Sequence, residues 1–190
     1  MKRSVKNPLG ESKEQKRQRV LKIFNEFDED GSGTIDDEEF VKGMSNYFNI
    51  SAIGNKDQYN QIFLIIFKMC DKAKFFKRRD GVLDFNEFER IVDAFPPAQT
   101  NASPNVLIGT TLFNIVDGNR SGRISRSEMT SFLKYFKFKK EDIKKFMKAL
   151  DTDRSGKIEL DEFLEWFKSY DVTNVDENGE EEEFDENDFQ

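Results

Sequence analysis

At 190 residues the chain is long enough for one domain or two small lobes, and 36% hydrophobic against 35% charged residues predicts a highly charged surface around a modest core. Asp and Glu number 37 against 30 Lys and Arg, and the resulting net charge of −7 sets nucleic acid aside as the main partner and favours a cation or a basic partner. One cysteine and no histidine exclude a disulfide framework within the chain and remove the usual catalytic bases, so no enzymatic activity and no catalytic residues are expected.

Residues 1–11 read as a basic extension without the apolar run of a signal peptide, and Lys2 excludes N-myristoylation. Ser12-Lys13-Glu14-Gln15 has the form of a capping box, and Val20, Ile23, Phe24 and Phe27 follow at helical spacing. An acidic loop begins at Asp28, after which Phe40, Val41, Met44, Tyr47 and Phe48 continue a helical stripe. Residues 61–70 predict a second apolar helix, with Cys70 as a buried thiol; its run IFLIIF is far too short to span a bilayer. After a basic stretch, KFFKRR, a further helix carries Phe85, Phe88, Ile91, Val92 and Phe95. The breaker-rich segment FPPAQTNASP separates two lobes, and Ser103-Pro104 opens the next helix, bearing Leu107, Leu112, Phe113 and Val116. Loops at Asp117 and Asp151 then alternate with stripes at Met129, Phe132, Leu133 and Phe136, at Ile143, Phe146, Met147 and Leu150, and at Phe163, Leu164, Trp166 and Phe167. Residues 171–190 are acidic, lack helical periodicity and predict a disordered tail.

DEDGSGTIDDEEF, DGNRSGRISRSEM and DTDRSGKIELDEF align without gaps, each with oxygen donors at positions 1, 3 and 5, Gly at 6, Ile at 8 and Glu at 12. A hard divalent cation such as Ca2+ takes about six to eight oxygens, which this spacing turns inward as the loop winds. Position 7 offers only its carbonyl, so its side chain is free to vary. The candidate ligands are Asp28, Asp30, Ser32, Thr34, Asp36 and Glu39 in loop one. In loop three they are Asp117, Asn119, Ser121, Arg123, Ser125 and Glu128, and in loop four Asp151, Asp153, Ser155, Lys157, Glu159 and Glu162. Loops one and four each bring four acidic side chains and loop three only two, so loop three is expected to bind most weakly. The stretch KFFKRRDGVLDFNEFER should hold the partner of loop one. With Glu87 at position 12, Asp84, Leu83, Gly81 and Asp80 fall at 9, 8, 6 and 5, but Arg78 and Phe76 fall at 3 and 1. A second fit starts at Asp71 and runs 17 residues, 71 to 87. The reading preferred here is a degenerate loop that keeps the Leu83 pairing and binds Ca2+ weakly or not at all.

These loops and their pairing resemble the EF-hand superfamily of four-hand proteins, similar in plan to calmodulin, calcineurin B and the sarcoplasmic calcium-binding proteins. The resemblance covers roughly residues 12 to 169. It implies an all-α fold of two lobes, each a pair of helix–loop–helix units with short paired strands between the loops. The lobes are placed at 12–95 (hand one intact, hand two degenerate) and 105–170 (hands three and four intact), with a linker at 96–104. Three Ca2+ sites are expected, with Mg2+ as a competitor and no other cofactor. The leading function is that of a cytoplasmic calcium sensor, exposing an apolar surface to an amphipathic helix of a target protein. A calcium buffer of sarcoplasmic type and a structural subunit of a larger assembly are the alternatives. Neither nucleic acid nor membrane is expected as a partner, and the oligomeric state is left open.

Overall fold

The apolar stripes fold as helices because their spacing lines one face and capping side chains mark where several of them begin. The computed structural model of the chain describes residues 11–50, 56–71, 80–96, 102–134 and 139–169. Eight helices run in these residues: α1 Lys13–Phe27, α2 Asp37–Tyr47, α3 Lys56–Cys70, α4 Phe85–Val92, α5 Pro104–Val116, α6 Arg126–Leu133, α7 Lys140–Leu150 and α8 Leu160–Ser169. Residues 1–10 of the basic extension, KFFKRR, most of the linker, Phe136 and the acidic tail lie outside the described residues.

The expected capping box at α1 is formed: Gln15 N–H donates to Ser12 Oγ at 3.1 Å, and Ser12 N–H to Gln15 Oε1 at 2.7 Å. The same device starts α2, α4 and α6, through Asp36 with Glu39, Asp84 with Glu87, and Ser125 with Glu128. In these helices the cap and its N3 glutamate are positions 9 and 12 of the loop, so one pair of side chains both starts the helix and closes the loop. α5 begins at Ser103-Pro104 as its sequence predicts, with Pro supplying the first turn and no hydrogen bond from the Ser103 side chain.

Phenylalanines fill the centre of each lobe. Phe27 meets Phe88 at 4.9 Å between ring centroids, Phe24 meets Phe88 at 5.6 Å, and Phe40 meets Phe67 at 5.7 Å. In the second lobe Phe163 packs against Phe113 at 5.6 Å and Phe132 at 6.2 Å. Edge and tilted ring pairs of this kind add to the burial free energy of large apolar side chains. The stripe prediction departs at Tyr47, which is 42% exposed, and at Cys70, which is half-buried rather than buried. Both lie in the last turn of a helix, where the core-facing arc runs out.

The expected short strands between paired loops are not formed among the described residues. In their place stand two antiparallel bridges, Ile35 with Leu83 and Ile124 with Ile158. Each bridge exchanges both backbone hydrogen bonds, at 3.1 and 2.8 Å in the first lobe and 2.8 and 2.9 Å in the second. Only position 8 pairs, because the chain turns through Gly at position 6 and is already capping a helix at position 9.

Candidate metal centres

Each loop starts where an incoming helix ends. Asp28, Asp117 and Asp151 are the C-caps of α1, α5 and α7, their N–H groups still bonded into the last helical turn. Gly33, Gly122 and Gly156 then take φ values of 85°, 82° and 81°, a left-handed conformation that glycine adopts without steric cost. That turn aims the glycine N–H back at the first aspartate, reaching Oδ2 at 3.0 Å in loop one, 2.7 Å in loop three and 3.0 Å in loop four. At position 5 the hydroxyls of Ser32, Ser121 and Ser155 donate to the position 7 carbonyls of Thr34, Arg123 and Lys157 at 3.0, 2.8 and 3.1 Å. The position 7 carbonyls thus face the position 5 hydroxyls in all three loops, whatever the side chain.

Loops one and four gather carboxylates. Oxygens of Asp28, Asp30 and Glu39 lie within 4.8 Å of one another, as do those of Asp151, Asp153 and Glu162. Asp28 Oδ1 and Asp151 Oδ1 are buried and accept no hydrogen bond among the described residues. A buried carboxylate oxygen without a donor is costly, and a cation coordinated there supplies the missing partner. The residues present thus fit a hard, oxygen-seeking divalent ion. Glu39 and Glu162 are held in reach by the backbone: Glu39 Oε1 accepts from Glu29 N–H at 2.9 Å, and Glu162 Oε1 from Thr152 N–H at 2.7 Å.

Loop three is organised differently. Asp117 is 3% exposed, and its Oδ1 accepts from Ser121 N–H at 3.0 Å. Asn119 Nδ2 donates to Glu128 Oε1 at 2.7 Å. Both oxygens of its first aspartate are satisfied internally, so an ion entering here must first displace protein hydrogen bonds. This adds to the low acid count in ranking the site below the other two.

At position 9 the candidate ligands also make contacts within the protein. Asp36 Oδ1 accepts Glu39 N–H at 2.8 Å, and Ser125 Oγ accepts Glu128 N–H at 3.3 Å, each as a helix cap. Glu159 instead pairs with Arg123 across the two loops at 2.7 Å. Arg123 was a candidate through its carbonyl alone; its guanidinium offsets the charge of a loop-four carboxylate, and nothing in a one-loop motif signals that contact.

The second hand follows the longer of its two fits. Gly81, with φ 80°, directs its N–H to Asp71 Oδ2 at 3.2 Å, the same bond that joins positions 6 and 1 in the other loops. Asp71, not Phe76, therefore holds position 1, and it is 5% exposed. The five-residue excess of the 17-residue loop lies between Asp71 and Asp80. Burial, aided by the charges of Asp84, Asp71 and Asp80, pushes the Glu87 carboxyl above its ordinary range despite the Asp84 N–H bond. At Glu128 burial pushes the same way, but hydrogen bonds from Ser125 and Asn119 and the charge of Lys157 together hold the carboxyl below that range. Glu162 is lowered likewise: burial is outweighed by bonds from Glu159, Thr152 and Asp153.

Residues 19–47 match the family model of an EF hand domain, and residues 110–168 match that of an EF-hand domain pair. These two stretches of the chain are EF hands. The second hand lies outside both matched ranges. Among curated relatives this EF-hand protein is 27% identical over 156 residues to calcium-binding protein CML19 of Arabidopsis thaliana, covering 81% of this chain and 84% of that one. It is 28% identical over 155 residues to probable calcium-binding protein CML13 of Oryza sativa subsp. japonica, covering 79% and 80%. Of solved structures, calcium-loaded apo-aequorin from Aequorea victoria aligns over 80% of this chain and 88% of its own, at 21% identity and a TM-score of 0.35.

Proposed function

We propose that this EF-hand protein is a calcium sensor that loads three ions, at loops one, three and four, and then presents apolar surface to an amphipathic helix of a target protein. The observation that carries the ion-binding part is the pair of orphaned aspartate oxygens, Asp28 Oδ1 and Asp151 Oδ1, each inside a three-carboxylate cluster. The names of the relatives, which describe those proteins as calcium-binding, support the same ion. Mg2+, also an oxygen-seeking cation, competes for these loops but demands a stricter geometry and gives up water reluctantly.

Support for the sensor role comes from a cleft of about 610 Å³ beside α2 and α3, lined by Val41, Ile50 and Leu64 with Asp37, Lys42 and Lys56 at its polar edge. An apolar floor with charged margins suits an amphipathic helix. No helix of the described residues is long and apolar enough to cross a membrane, and the cytosol is the setting we assign.

Calorimetric calcium titration of the full chain, with a hydrophobic dye followed in parallel, tests the reading. Three ions bound with a rise in dye fluorescence are expected. Three ions with a flat dye signal would replace the sensor with a buffer. A stoichiometry other than three would overturn the assignment of sites.

A further inference from the structure

We propose that filling of the third loop is felt by the N-terminal lobe through a contact between Arg120 and Asp93. The inference rests on the reading above that loop three takes an ion. Arg120 occupies position 4 of that loop, between the candidate ligands Asn119 and Ser121, and holds φ 55°. A side chain with a Cβ is disfavoured there, and loop one uses Gly31 at the same position, with φ 71°. The guanidinium of Arg120 reaches out of its own lobe to Asp93 Oδ2 at 3.5 Å.

Asp93 is the C-cap of α4, the outgoing helix of hand two. Its Oδ2 also accepts from Lys16 Nζ of α1 at 2.8 Å, and Lys16 lies 3.4 Å from Glu89 Oε1. One residue further on, the Ala94 carbonyl accepts from Asn114 Nδ2 of α5 at 2.9 Å. The end of α4 is thus held from two sides, by α1 of its own lobe and by hand three of the other. Both residues flanking Arg120 are tied into the loop, Asn119 to Glu128 and Ser121 to Asp117. An ion engaging Asn119 and Ser121 must rearrange those bonds, and the backbone that carries Arg120 lies between them. From Asp93 the connection runs back along α4 to Leu83, whose bridge to Ile35 enters loop one. Arg154 supplies an internal control: it holds the same position in loop four with φ 62° and makes no ion pair among the described residues.

The contact is half-exposed, so the coupling it carries is small, about two- to fivefold in the affinity of one lobe when the other is loaded. Amide-resolved NMR calcium titrations of the full-length wild type, Arg120→Gln, Arg154→Gln and Glu128→Gln test it. In the wild type and in Arg154→Gln, the amides of Lys16, Asp93 and Ala94 should shift in step with Gly122 of loop three. In Arg120→Gln, Gly122 should still respond while the Lys16 and Asp93 step disappears; in Glu128→Gln both should be lost. Lys16 and Asp93 amides that stay still while Gly122 moves, or that move equally in Arg120→Gln, would overturn the coupling and leave the three-site reading intact. A wild-type Gly122 that ignores calcium would overturn both.

Discussion

Gly43 lets α2 lie directly against the Phe27 ring of α1, and replacing it with alanine should loosen the whole N-terminal lobe. A Cβ at Gly43 falls 2.3, 2.5 and 2.6 Å from Cδ1, Cγ and Cε1 of the Phe27 ring, against about 3.5–4.0 Å for carbon atoms in contact. The ring has little room to retreat: Phe27 is 3% exposed and is backed by Phe88 at 4.9 Å and Phe40 at 6.1 Å. Overpacking costs about 1–3 kcal/mol, an approach of 2.3 Å puts this case at about 2–3 kcal/mol, and the better helix propensity of alanine returns about 1 kcal/mol. A net loss of about 1–2 kcal/mol should lower the melting temperature of the N-terminal lobe by about 4–16 °C, measured by circular dichroism without calcium. Because Phe27 directly precedes Asp28, the affinity of loop one should fall as well. Gly109→Ala is the comparison. Its Cβ meets Leu164 Cδ2 at 2.7 Å and Phe167 Cδ1 at 2.9 Å, and the half-buried Leu164 methyl can turn aside, so the loss should be smaller. An unchanged or raised melting temperature for Gly43→Ala would refute the claim that this contact sets the spacing of α1 and α2.

Glu162→Gln should reduce the calorimetric stoichiometry from three ions to two, with loop-four affinity down by at least about tenfold, since position 12 supplies two of the oxygens. Glu87→Gln should leave three ions bound and raise the melting temperature of the calcium-free protein at neutral pH. A raised folded-state pKa means that the charged carboxylate disfavours the fold, so the gain should vanish once acid protonates Glu87 in both states. Glu128 and Glu162 act in the opposite sense. Their lowered values give stability that is present above the ordinary glutamate pKa, about 4.3, and is lost as pH falls through the folded values. The denaturant midpoint of the calcium-free C-terminal lobe should therefore drop on acidification below about pH 4, and less steeply in Glu128→Gln.

Loops one, three and four were legible because everything that builds them is local. The first aspartate, the glycine five residues later and the glutamate at position 12 lie within one stretch of chain, and their bonds form within it. The second hand was harder for a physical reason. Its defining bond, from Gly81 N–H to Asp71, spans ten residues, and a motif of fixed length puts Phe76 where Asp71 belongs. The paired strands were overestimated because the residues on both sides of position 8 are already committed, to the glycine turn and to the helix cap. Arg123 with Glu159 and Arg120 with Asp93 were illegible: each joins residues that only the packed fold brings together, and neither arginine occupies an apolar stripe or a ligand position by virtue of its side chain.

The single bridge at position 8 divides every loop into two halves with different freedoms. The exit half, from glycine through the bridge to the capping glutamate, is held by backbone bonds that leave no slack in length. The entry half is tied through side chains, at its first aspartate and to the position 12 glutamate, and in the second hand it carries five additional residues. This makes the segment between Asp71 and Asp80 a natural insertion port. A short reporter peptide placed there should leave the Ile35–Leu83 bridge in register, whereas the same peptide placed between Gly81 and Glu87 should break the lobe.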